Sequence, residues 1–146
     1  MLQLSGEEHF SRPPAEVWAC LADANFLANC LPALESAEQD ESGLLVCRVR
    51  PGLSFLKGTL KVTLDIRDQQ PPKSMRICVT SKGIGSSAVV ETSIELSARD
   101  TLTQLNWNAE VTKLGGLLKP IGGSLIAAAA NKVIAQGWAT FRDRLP

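Results

Sequence analysis

Leu2, Leu4, Gly6, Glu8 and Phe10 alternate with Gln3, Ser5, Glu7 and His9, a period of two that predicts a strand with one apolar side. The pattern stops at Ser11-Arg12-Pro13-Pro14, and proline suits a helix start because the N–H it lacks has no partner in a first turn. Ala15 to Ala22 then places Val17, Trp18 and Leu21 on one helical face. Asp23 is a good N-cap for a second short turn, Asn25 to Leu31, which Pro32 ends. A ladder of strands follows. Leu45, Cys47 and Val49 share one phase. After the turn Pro51-Gly52, Leu60, Val62, Leu64 and Ile66 form the clearest alternation in the chain. Turns at Gln69–Pro72, Gly83–Gly85 and Ala98–Thr101 separate three more runs: Met75, Ile77 and Val79; then Ala88, Val90, Thr92, Ile94 and Leu96; then Leu105, Trp107, Ala109 and Val111. Short strands at about ten-residue spacing with brief connections predict one antiparallel meander of six or seven strands, apolar on one side.

After Gly115-Gly116 the period changes. Leu118, Ile121, Leu125, Ala129 and Val133 step by three or four, and Ile126, Ala130, Ile134, Trp138, Phe141 and Leu145 form an adjacent stripe. This predicts a helix of about 28 residues, about 40 Å long. An antiparallel sheet with a bare apolar face needs a cover, and this helix is the only element large enough. The fold class is therefore α+β, and the absence of linkers or repeats makes residues 1–146 a single domain.

The 146 residues, 45% of them hydrophobic and 21% charged, suit an ordinary globular domain with a real core. Fifteen basic residues balance fifteen acidic ones without clustering, so a nucleic-acid footprint is not expected. Cys20, Cys30, Cys47 and Cys78 are too widely spaced for a zinc motif, and the single His9 has no cluster of ligands near it, so no metal is expected. The first ten residues lack the basic and apolar regions of a signal peptide. The longest near-apolar stretch, Gly122 to Ala130, is far short of a membrane span. Free thiols in a reducing cytoplasm are the expectation.

Catalytic candidates are few. Glu91, Glu95 and Glu110 occupy the polar phase of their strands, and every nucleophile triad would have to use His9, which also lies on a polar phase. No catalytic residue is assigned. Gly83-Ile84-Gly85 joins two strands without opening a helix, and Gly115-Gly116 and Gly122-Gly123 lack a Lys-Ser pair, so none reads as a phosphate loop. The informative feature is the small-residue half of the cover helix, Gly122, Gly123 and Ala127 to Ala130. If the sheet bends in to meet them, they allow close packing. If it stays away, they leave unfilled volume beside Leu60, Val62, Ile77, Val90 and Trp107, suited to an apolar small molecule. Leu53-Ser54-Phe55-Leu56 places three large apolar residues in a strand connection, either at a ligand mouth or tucked beneath the helix end.

Several short motifs stand in a definite order along the chain. They begin with Leu4-Ser5-Gly6 before Phe10, Pro14-x-x-Val17-Trp18, and Cys30-Leu31-Pro32 before Glu35. Val49-x-x-Gly52-Leu53, Lys57-Gly58-Thr59 and Trp107-x-Ala109-Glu110-Val111 follow, then Gly115-Gly116-Leu117-Leu118-x-x-Ile121-Gly122-x-x-Leu125-Ile126. Together these pieces resemble the carbon monoxide dehydrogenase G-subunit family of the START-like (SRPBCC) superfamily. The resemblance implies the helix-grip fold, a curved antiparallel sheet gripping a long C-terminal helix, with two short helices after the first strand. It also implies a hydrophobic ligand, lipid- or quinone-like, held between sheet and helix by an accessory or carrier protein without cofactor, associated with a molybdenum enzyme of the carbon monoxide dehydrogenase type. The expected ligand-binding residues are Leu60, Val62, Leu64, Ile77, Val79, Val90 and Trp107 from the sheet, and Leu53 and Phe55 from the connection. Leu118, Leu125, Ile126 and Ala129 complete the set from the helix. Some members attach to membranes through a C-terminal extension. Here Leu145-Pro146 directly follow the helix, so a cytoplasmic protein with at most transient contact at the inner membrane face is expected. The superfamily also contains enzymes of the cyclase or hydrolase type, which need polar groups inside the cavity. A protein-interaction module docking through Leu53–Leu56 is the third alternative.

Overall fold

The computed structural model describes residues 2–31, 33–50 and 58–146. Along the chain run β1 (Leu2–Phe10), α1 (Pro14–Leu21), α2 (Ala24–Ala28), β2 (Leu34–Gln39), β3 (Leu45–Val49), β4 (Leu60–Gln70), β5 (Ser74–Gly83), β6 (Ser86–Arg99), β7 (Leu102–Gly116) and α3 (Gly123–Arg144). The strands form one curved antiparallel sheet in the order β1-β7-β6-β5-β4-β3-β2. This is the helix-grip arrangement expected of the sequence. The first strand pairs with the last, Gly6 opposite Trp107 and Phe10 opposite Thr103.

Local chemistry accounts for the short helices. Pro14 opens α1, and the Asp23 carboxylate caps α2 by accepting from the backbone N–H groups of Asn25 and Phe26 at 3.0 and 3.3 Å. Thr103, fully buried, donates from its hydroxyl to the Arg12 carbonyl at 2.6 Å, tying the start of β7 to the segment that enters α1.

Three features differ from the expectation. The strand β2 carries no clear alternation, because its residues Leu-Glu-Ser-Ala-Glu-Gln are mostly polar, as suits a sheet edge that must not recruit further strands. The strand β7 continues five residues past Val111. A bulge between Val89 and Val90 of β6 leaves Thr112 as an extra residue, after which Leu114 lies opposite Ala88. The bulge shifts the side-chain phase by one, so the inward set Leu105, Trp107, Ala109 and Val111 is followed by Leu114 rather than Lys113. Finally, α3 has 22 residues, not about 28, because residues 117–122 form turns before it.

The core divides into two clusters. One gathers Phe10, Val17, Leu21, Met75, Leu105 and Phe141; the other gathers Ala28, Leu45, Cys47, Leu60, Val62 and Ile126. Gly6 has a specific place in the first. A Cβ built there would lie 2.7–2.8 Å from three atoms of the Trp107 indole, so the bare glycine lets that ring lie flat across β1. Gly6→Ala is expected to cost about 1–3 kcal/mol by forcing the indole out of place. Chemical denaturation checks it, and an unchanged midpoint would show that the indole repositions freely.

A hydrophobic cavity between sheet and helix

Only Ile126 and Phe141 of α3 are fully buried, one near each end of the helix. Between them Ala129, Ala130, Val133, Ile134 and Gly137 turn toward the sheet yet are only partly buried, and a Cβ at Gly137 would meet nothing within 4 Å. The curved sheet therefore does not close onto the middle of the helix. The space left is a cavity of about 400 Å³ lying between the two core clusters, well within the range of small-molecule sites.

Helix α3 supplies one wall, including Ala129 and Ala130, whose small side chains keep it open. The sheet supplies the opposite wall through Leu64 of β4, Ile77 and Val79 of β5, Val90 and Thr92 of β6, and Trp107 and Val111 of β7. The α1–α2 region contributes Leu21, Leu27 and Cys30 at one side, and Leu118 and Ile126 complete the other.

The far end is stopped by aromatic rings. Phe141 meets Phe10, Phe26 and Trp138 with ring centroids 5.4, 5.3 and 5.6 Å apart, all edge-to-face. Outside this plug Arg142 stacks 5.1 Å above the Phe10 ring and pairs with Glu8 at 2.8 Å, fastening α3 to β1.

Of the expected ligand-binding residues, Leu64, Ile77, Val79, Val90, Trp107, Leu118, Ile126 and Ala129 surround the cavity. Leu118 does so from the turn before α3 and not from the helix. Leu60 and Val62 are buried but sit in the second core cluster, outside the lining. Leu125 is 49% exposed, on the solvent side of the first helical turn. Leu53 and Phe55 lie outside the described residues. Lining residues that the sequence reading did not assign include Leu114, brought inward by the bulge, Ala88, which keeps the phase of Val90, and Leu4, Leu21, Leu31 and Gly137. The 3–4 spacing from Ile126 through Ala130 to Phe141 already marked Gly137 as a neighbour of that stripe.

The chemistry of the wall is almost wholly hydrocarbon. The polar side chains among its described residues are Thr92 and Cys30, while Trp107 turns its N–H away against Gly6. The Cys30 thiol donates to the Phe26 carbonyl at 3.3 Å, and burial raises its pKa, so it is a protonated thiol at neutral pH. Cys20 and Cys47, raised likewise by burial, lie outside the lining. The Trp107 Nε1 is buried and has no hydrogen-bond partner among the described residues. No Lys, Arg, His, Asp or Glu lines the space among the described residues.

The carboxylates on the polar phase of the strands lie elsewhere. Glu91 and Glu110 face each other in register on the outer side of the sheet, in a polar groove of about 410 Å³ with Gln3, Ser5, Arg76, Ser93 and Asn108. Arg76 pairs with Glu91 there at 3.6 Å. His9 is exposed beside Glu7. Among the described residues no group of three His, Cys, Asp or Glu side chains could hold a metal ion, and no helix is long and apolar enough to cross a membrane.

The fold is shared widely. A conserved protein from Geobacillus kaustophilus superimposes with a TM-score of 0.89 at 22% identity, over 99% of this chain and 95% of that one. A START superfamily protein from Mycobacterium smegmatis gives 0.72 at 10% identity, over 99% and 97%. The protein XoxI from Bacillus cereus gives 0.71 at 11% identity, over 99% and 96%. At these identities the likeness concerns the fold, which is START-like. No curated protein matches the sequence. The family model for the G subunit of carbon monoxide dehydrogenase (CoxG) matches residues 6–145. With that match spanning sheet, cavity and helix alike, the chain belongs to the CoxG family.

Proposed function

We propose that this protein is a non-enzymatic accessory or carrier protein that takes up a hydrophobic small molecule, lipid- or quinone-like, in the cavity between sheet and helix. The observation that carries the reading is the wall itself: about 400 Å³ surrounded almost entirely by carbon, with no ionisable group among the described residues other than a protonated thiol. Such a site favours an apolar guest through burial alone, at roughly 25 cal/mol per Å² of apolar surface removed from water. General acid–base chemistry would need a titratable group within hydrogen-bond reach of the guest, and the wall offers a poor one. Membership of the CoxG family supports service to a molybdenum enzyme of the carbon monoxide dehydrogenase type. A cytoplasmic protein touching the inner membrane face only transiently belongs to the same reading, the exposed Leu117 and Leu125 supporting the contact.

The test is native mass spectrometry of protein purified from its own host, followed by organic extraction. A bound apolar molecule released by solvent is the expected result. Protein that carries none, and that takes up none from a mixed extract of host lipids and quinones, would overturn the proposal.

A further inference from the structure

Thr92 carries the only hydroxyl among the described residues that line the cavity. Thr92 lies opposite Ala109 in the β6–β7 register, and Trp107 is two residues before Ala109 on the same inward face. The two are therefore diagonal cross-strand neighbours, with side chains about 7–8 Å apart at their bases. Trp107 is 6% exposed, and its N–H lacks a partner. That N–H is closed off beside Gly6 of β1 and is out of a ligand's reach, which leaves the partly buried Thr92 as the hydroxyl available in the cavity. Meanwhile no cation lines the space among the described residues. The nearby charged pair, Glu8 with Arg142, is closed on itself at 2.8 Å, outside the lining.

We propose that the cavity selects an uncharged ligand bearing a hydrogen-bonding oxygen, a carbonyl or hydroxyl on an otherwise apolar body, and that Thr92 is the residue that seats this oxygen. The inference rests on the cavity being a ligand site and adds what that ligand must look like. A hydroxyl can donate or accept, so Thr92 serves either oxygen type. A carboxylate head would enter without a counter-charge and keep its desolvation cost, so fatty acids are rejected.

Displacement of the neutral fluorophore N-phenyl-1-naphthylamine tests this with four ten-carbon probes: decane, 1-decanol, 2-decanone and decanoate at pH 8. Wild-type protein is expected to bind the alcohol and ketone most tightly, and decanoate more than about tenfold more weakly. Thr92→Val, which keeps the shape and removes the hydroxyl, is expected to weaken the alcohol and ketone by about fivefold to tenfold while leaving decane and the fluorophore unchanged. Thr92→Ser restores the preference. Decanoate binding as tightly as decanol, or an oxygen preference that survives in Thr92→Val, overturns the assignment while the cavity remains a ligand site. Failure of the folded wild-type protein to bind fluorophore and all four probes overturns both.

Discussion

Replacing Ala129 by phenylalanine is expected to abolish uptake of an apolar ligand while leaving the melting temperature of the ligand-free protein nearly unchanged. Ala129 lies on the wall that α3 presents to the cavity, between the fully buried Ile126 and the open space beside Gly137. A benzyl group there enters volume that no side chain fills, and gains contacts with Val90 or Trp107 across the gap. The same substitution in a tightly packed core costs about 1–3 kcal/mol, which in a domain of this size lowers the melting temperature by several degrees. Thermal melts of both proteins, paired with fluorophore binding, separate the outcomes. A clear loss of stability in Ala129→Phe would mean that the helix packs closely at this position, and retained binding would mean that the guest sits elsewhere.

Phe141→Ala is expected to have the largest effect on stability, about 3–5 kcal/mol, or a fall of roughly 10–20 °C in melting temperature. Phe141 is 1% exposed and touches rings from β1, α2 and its own helix. Helix α3 is held against a cavity for most of its length, so it has few other contacts to share the loss. The variant should also release the far end of the helix, raising amide hydrogen exchange from Ile134 onward before any change in the sheet. A loss below about 1 kcal/mol would show that Trp138 and the Arg142–Glu8 pair suffice to hold that end.

The sheet was legible in the sequence because its inward residues alternate strictly wherever one face is buried. Leu60, Val62 and Leu64, or Leu105, Trp107 and Ala109, announce their phase without help from the rest of the chain. What alternation could not show was distance. Leu60 and Val62 share a phase with Leu64, yet the first two pack against a core cluster and only the third reaches the cavity. Likewise Leu125 shares a helical stripe with Ala129 but projects into solvent, 49% exposed. The bulge at Thr112 hid Leu114, since a one-residue shift reverses the apparent facing of every later position in that strand. The glycines and alanines of α3 left two readings open, and the partly buried row Ala129, Ala130, Val133 and Ile134 favours the unfilled one.

The pairing of the first strand with the last sets a timetable for synthesis. From β3 to β7 each strand pairs with its predecessor in the chain, so the meander can assemble as the chain emerges. Leu2–Phe10 must wait about a hundred residues for Thr103–Val111, a late, non-local closure of the kind that slows folding. The indole of Trp107 has no Gly6 to lie on until then, and α3 has no β1 to be fastened to. The inner face of the nascent sheet thus stays open to its surroundings until the final third of the protein has left the ribosome. An apolar guest present at that moment can be enclosed as the protein folds, without having to find an entrance afterwards.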